Sequence, residues 1–333
     1  MTATTWRRGL AGLLSVFAFL AGTASYARAA VPSYIPTTPA PFVVLQIESG
    51  SVTVRTWDRA GVQLIADPGI TSNHAPTRQV AARAPRQIML WSETITTPAG
   101  ALNLAPEPFL LPPFPPGEHD ALIVRGSGNV TLTVPEQTPL VLANVRTGSV
   151  NVDNFHGNAL VVHVGSGNVR LDDDSGTAAV QVNSGPVYAA NSVFERLRLR
   201  TGRGNVVMNN CRANQIQVTS LVGSILYDDG IFEPGIARFE TNRGMVAIGI
   251  ANGAQIEAHS GVGRIFYDVG PDGTVNRGPT DTQATIMGGG PVVTASSVSG
   301  AVIFYRGSLR DHPMLDRRLG RKLRSDAPDF QQP

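Results

Sequence analysis

The sequence predicts an all-β, single-domain β-solenoid of about ten coils of roughly 19 residues, and three observations carry that expectation. Glycine recurs at Gly128, Gly148, Gly167, Gly185, Gly204, Gly223, Gly244 and Gly263, at intervals of 20, 19, 18, 19, 19, 21 and 19 residues. Two and four places after each glycine stands an apolar pair, from Val130/Leu132 and Val150/Val152 to Val246/Ile248 and Ile265/Tyr267. Seven and five places before it stands a second, from Ala121/Ile123 and Val141/Ala143 to Ala237/Phe239 and Ile256/Ala258. Successive side chains of a strand face opposite sides, so each pair marks one buried face, and each coil is two strands meeting at a glycine corner. Glycine suits that corner because it accepts positive φ and lets a neighbouring backbone come close.

In chain order, the first 29 residues have the pattern of a secretory signal peptide. Arg7 and Arg8 precede an apolar run from Leu10 to Gly22, and Ala27-Arg28-Ala29 forms a small-x-small cleavage site, so the mature chain is expected to begin at Ala30. The apolar run is shorter than the roughly 20 residues that span a bilayer, and no later run is long enough, so no transmembrane segment is expected after cleavage. Residues 30–41 form a Pro-rich, extended leader. The solenoid domain is expected over 42–307. It opens with a coil at Gly50, carrying Val43/Leu45 and Val52/Val54, and a Pro-rich insertion at 68–118 then interrupts it. Within the insertion, Gln87–Leu90 and Thr94–Thr97 read as short strands. Leu122, Val124, Leu142 and Val161 are apolar at positions expected to face outward, a patch that needs cover. The insertion is expected to lie over it, or to form a binding groove with it.

Gly300 carries Val293/Ala295 and Val302/Phe304 and follows Gly263 by 37 residues, an interval of one coil with a long insertion or of two coils, one degenerate. Ten anchors at roughly 4.8 Å per step give a rod about 45 to 50 Å long. Residues 308–333 form a basic tail in which Leu315, Leu319 and Leu323 recur every fourth place among Arg317, Arg318, Arg321, Lys322 and Arg324. This outlines a short amphipathic helix, either capping the last coil or resting on an anionic membrane surface.

The runs FVVLQIESGSVTVRTWD (42–58), VTLTVPEQTPLVLANVRTGSVNVDNFHG (130–157) and LVVHVGSGNVRL (160–171) resemble the bacterial putative-adhesin domains of toast-rack type. The resemblance covers roughly 42–307 apart from the insertion. It implies an exported, single-sheeted, right-handed β-solenoid whose biochemical role is unknown, and it brings no catalytic residues.

Composition narrows the function. A net charge of +2 gives no electrostatic case for nucleic acid. Cys211 is the sole cysteine, which excludes an intramolecular disulfide, and its place after Asn209 and Asn210 suggests a turn or a small buried residue. Five places after the anchors stand Asp153, Asp172, Asn209, Asp228 and Asp268, with Asn154, Asp173, Asn210 and Asp229 beside them. Two readings apply: a second corner, where Asp and Asn close turns and tolerate left-handed backbone, or carboxylates sharing calcium, most densely at Asp153, Asp172, Asp173 and Asp174. No other cofactor is expected. Outward arginines Arg198, Arg200 and Arg238 should share a face able to hold an acidic glycan, or be paired within the sheet by Glu195, Glu240 and Glu257. The chain has no G-x-S-x-G, S-x-x-K or H-E-x-x-H motif, and its histidines are scattered.

The expectation is therefore an exported, non-catalytic binding or scaffold protein, a periplasmic, cell-surface or extracellular adhesin whose partner is an acidic glycan or an envelope protein. The alternative is an envelope-sensing or assembly component docked through its basic tail. A carbohydrate-active β-helix enzyme of lyase type fits less well, since the carboxylates sit at corners and most coils have minimal length.

Overall fold

The structure, a computed structural model, describes residues 27–28, 32–75, 87–90, 93–97, 100–104, 107–114, 119–268, 273–278, 280–286 and 288–324. The signal-peptide pattern lies outside them except for Ala27–Arg28, which pair antiparallel with Ser72 and Thr71. The rest is a β-solenoid in which each coil contributes one strand to a leading wall, before its glycine, and one to a trailing wall, after it. The two inward pairs of nearly every coil meet in one continuous core between the walls.

The glycine corner sets the stacking. A Cβ placed on Gly148 would fall on the carbonyl oxygen of Gly50, and one on Gly167 would fall on that of Gly148, with φ of +145° and +146°. Side chains three places before later glycines reinforce the contact: Thr201 Oγ1 donates to Gly185 O (3.2 Å), Ser220 Oγ to Gly204 O (3.3 Å) and Thr241 Oγ1 to Gly223 O (2.8 Å). These hydroxyls are buried, and the neighbouring coil's carbonyl satisfies them.

The coils do not stack in sequence order. The Gly50 coil lies between those of Gly128 and Gly148: Phe42–Trp57 pairs in parallel with Ala121–Gly126 and Val130–Pro135 on one side and with Leu140–Asp153 on the other. The Gly300 coil likewise lies between those of Gly244 and Gly263, so Ser297 Oγ donates to Gly244 O (2.9 Å) and Ser260 Oγ to Gly300 O (3.0 Å). The interval after Gly263 is thus one coil folded back into the stack, reached through the antiparallel strands Gly273–Arg277 and Asp281–Ile286 that close the leading wall. At the other end, Ile70–Ala75 closes the leading wall, while Val62–Ala66 and Ser33–Ile35 close the trailing wall, all antiparallel.

The outward patch differs from expectation in one coil. Leu122 and Val124 point into the core and Ile123 does not, because Leu122, six places before Gly128, pairs with Val43, seven before Gly50. A corner one residue shorter turns every side chain of that strand over. Leu142 and Val161 do face outward, and Ile88, Leu90, Phe109 and Leu111 of the insertion cover them together with Phe42 and Leu140. Gln87–Leu90 pairs with Glu107–Leu110, and the hairpin Glu93–Thr97/Gly100–Leu104 reaches on to Val193–Arg203 and Arg212–Val222.

The tail does not cap the end of the rod. The helix Pro313–Arg324 lies across the outer side of the trailing wall, where Leu309 and Leu319, with Leu315 half-buried, cover Leu226, Ala247 and Ile303. Apolar residues at outward positions of these coils attract it there. Buried Asp228 holds its approach, accepting from Tyr305 Oη (2.9 Å) and Leu309 N (2.7 Å), and His312 Nδ1 lies 3.0 Å from Asp268 Oδ2.

If carbonyl-on-glycine stacking controls assembly, Gly167→Ala should cost about 4 kcal/mol or more, or prevent folding. Gly288→Ala, at φ +79° with open space around its Cβ, should cost only about 1–2 kcal/mol of backbone strain. Denaturant melts of the two variants compare these costs, and equal costs would show that the corner does not depend on the close approach.

Candidate functional site

In its C-terminal half the leading wall exposes an extended polar surface. There, cross-strand registers align two outward rows, Arg238, Thr294, Glu257 and Gln283, and Glu240, Ser296, His259 and Asp281. Period-2 alternation turns these residues outward while Phe239, Ala258 and Ala295 fill the core. The rows line a groove of about 350 Å³. His259 Nδ1 lies 2.5 Å from Asp281 Oδ1, and Arg238 Nε lies 3.6 Å from Glu240 Oε1. The His259 hydrogen bond holds the Asp281 carboxyl below its usual range.

Ser296, His259 and Asp281 stand in the order of a hydrolase triad. Ser296 lies on a strand paired on both sides, which spends its backbone N–H groups in the ladder and leaves none for an oxyanion. The groove is equipped to hydrogen-bond and ion-pair with a ligand.

Of the arginines expected on this face, only Arg238 is open. Arg198 lies in the same outward row, two strands away, but the insertion holds it. It donates to Pro108 O (2.8 Å) and Gln217 Oε1 (2.8 Å), lies 3.3 Å from Glu107 and sits over the Phe109 ring. Arg200 is 3% exposed. Arg198 thus belongs to the contact beneath the insertion, and Arg200 is buried. The sequence reading missed Glu257, His259, Asp281 and Gln283 as a group, because Asp281–Ile286 has no glycine anchor; the alternation in DTQATI was its available signal.

The four carboxylates singled out as a calcium cluster have separate partners. Asp153 pairs with Arg55 (2.8 Å), and Asp172 pairs with Arg170 (2.7 Å) and accepts from Asn191 Nδ2 (3.2 Å). Asp173 has φ +56°, and Asn154, Asn191, Asn210 and Asp229 at equivalent places have φ of +49° to +58°, so this column forms the second corner. Among the described residues, no three His, Cys, Asp or Glu side chains gather as a metal would need.

Asp174 turns inward, accepting from Phe155 N (2.8 Å) and Asp172 N (3.1 Å), and burial pushes its carboxyl up to about 8 against those bonds. Ser192 and Cys211 occupy the same place in the next coils. Cys211 is buried, donates to Asn209 O (3.4 Å) and has its thiol pushed up to about 12 by burial, an unreactive state. Under the insertion, burial holds outward His163 down at about 4, and its ring nitrogens each lie 3.3 Å from Asn144 and Asn183 Oδ1.

The family model described as Toastrack DUF4097 matches residues 115–302. A crystal structure described as a "putative cell adhesion protein" from Clostridium sporogenes ATCC 15579 aligns over 85% of this chain and 100% of its own, at 8% identity and a TM-score of 0.24. No curated protein matches the chain in sequence.

The two buried groups act on stability in opposite directions. The folded state keeps the Asp174 proton that the unfolded chain gives up near 3.8, so this contribution is full below 3.8 and lost as pH rises through about 8. That of His163 is full above 6.5 and lost as pH falls through about 4. Between pH 6.5 and 9, Asp174→Ser, the residue the next coil carries, should therefore flatten the decline in melting temperature seen for the parent chain. An identical slope would show that Asp174 does not hold the proton.

Proposed function

The chain belongs to the Toastrack family, and on that premise we propose that it is an exported, non-catalytic binding and scaffold protein of the cell envelope or surface, an adhesin-like rod that holds its ligand in the open groove of the leading wall. The observation that carries this reading is selective exposure. Both apolar outer patches are covered by segments outside the repeat, whereas the polar rows from Arg238 to Gln283 and from Glu240 to Asp281 are left open. A surface mixing Arg238 and His259 with Glu240, Glu257 and Asp281 favours hydroxyl-rich or zwitterionic glycans over a purely acidic one. The expected signal sequence supports export. No helix among the described residues is long and apolar enough to cross a membrane. Docking through the basic tail has less support, because Leu319 and part of Leu315 are already spent on the trailing wall.

Binding of the mature chain to bacterial cells and to immobilised glycans tests the assignment. Replacing Arg238, Glu257 and Gln283 together with alanine should weaken binding at least tenfold at unchanged melting temperature. Arg198→Ala should instead cost stability, about 1.5–3 kcal/mol for charged hydrogen bonds, and leave the binding of folded protein intact. Undiminished binding by the triple variant would remove the groove from consideration.

A further inference from the structure

The open face of the leading wall is a ribbon of defined shape. Its length runs across the strands: the row from Arg238 through Thr294 and Glu257 to Gln283 takes three inter-strand steps, about 14 Å at roughly 4.8 Å each. Beyond Gln283 the row continues to exposed Asn276. Before Arg238 it stops at Gln217, which accepts from Arg198 and donates to Glu107 of the insertion. Its width is set on the first two strands, where the next outward place carries exposed Ile236 and Val292; this leaves two polar places about 7 Å apart. Charges within the ribbon pair off, Arg238 with Glu240 and His259 with Asp281. The side chains of Glu257, Gln283 and Ser296 have no partner among the described residues.

We propose that the ribbon holds a linear, uncharged β-1,4-linked polysaccharide, lying across the strands with one pyranose residue to each coil. This rests on the groove being the ligand site and adds the ligand's linkage and direction. In an extended β-1,4-linked chain each residue advances by nearly one inter-strand step, so the polar groups of successive residues meet successive strands. An extended peptide brings a side chain to one face only every 6.8 Å or so, and falls out of step with the coils within two or three strands. The side chains suit a sugar: Gln283 and Ser296 both donate and accept, as hydroxyls do, and Glu257 accepts. Ile236 and Val292 offer the C–H face of a ring an apolar edge. Glu240, Glu257 and Asp281 beside Arg238 and His259 leave no net positive charge to attract a polyanion. Closed at Gln217 and open at Asn276, the ribbon accommodates about four or five sugar residues at one per strand.

Calorimetric titration of the mature chain with a length series of β-1,4-linked glucose and N-acetylglucosamine oligomers, from the disaccharide upward, tests this. Affinity should rise about fivefold with each added residue, the effect of one neutral hydrogen bond, up to about four or five residues and then level off. Oligomers of β-1,3-linked glucose, the same sugar in a chain that winds out of step, should bind about tenfold more weakly at equal length. Gln283→Ala should remove the gain from the fourth residue, with a melting curve to confirm that the variant is folded. Four results would overturn the proposal and leave the groove reading in place: glycan binding at the groove without binding of either β-1,4-linked series, affinity independent of chain length, equal affinity for the two linkages, or a length dependence that Gln283→Ala does not alter. Failure of every glycan to bind would remove both.

Discussion

The structure depends on the approach of one backbone to another at the glycine corner. Each glycine's carbonyl oxygen occupies the space that a Cβ on the next glycine would need, and every corner glycine but Gly263 has a φ that side-chain-bearing residues rarely adopt. This contact fixes register along the stack, and register aligns the inward pairs of successive coils into one core. The hydroxyls of Thr201, Ser220, Thr241, Ser260 and Ser297 tie the same carbonyls sideways. Their partners also record the true order of the coils, since Ser260 reaches Gly300 and Ser297 reaches Gly244.

A stack of this kind has open ends and any apolar residues that the repeat leaves outside. The chain meets both with its non-repeating segments. Antiparallel strands close both walls at the first end and the leading wall at the last. The insertion covers Leu142 and Val161, and the tail helix covers Leu226, Ala247 and Ile303. The groove around His259 is exposed against this background, and so the functional reading falls there.

One residue type serves three ends in the corner column. Asp173 and Asp229 accept left-handed backbone, Asp228 anchors the tail through Tyr305 and Leu309, and Asp174 turns into the core as a proton-holding acid. Burial separates these roles: it raises Asp228 and Asp174, whereas Asp172 stays at the surface beside Arg170. The sequence pattern marks the column but carries no information about depth.

The sequence by itself determined the fold class, the glycine corners and nearly all of the core, because those follow from a period of about 19 and an alternation of 2, which are local properties of the chain. The second corner was legible too, in the Asp and Asn residues beside it. Only the tertiary structure decided which coils are neighbours. Folding the Gly50 and Gly300 coils back between others leaves the periodicity untouched, since every coil carries the same apolar pairs and turns a glycine carbonyl to the coil on one side and a glycine Cα to the coil on the other. It also decided the candidate site. Arg198 and Arg238 occupy equivalent outward places in their coils, and what separates a buried clamp from an open groove residue is a segment some 90 residues away that lies over one and not the other.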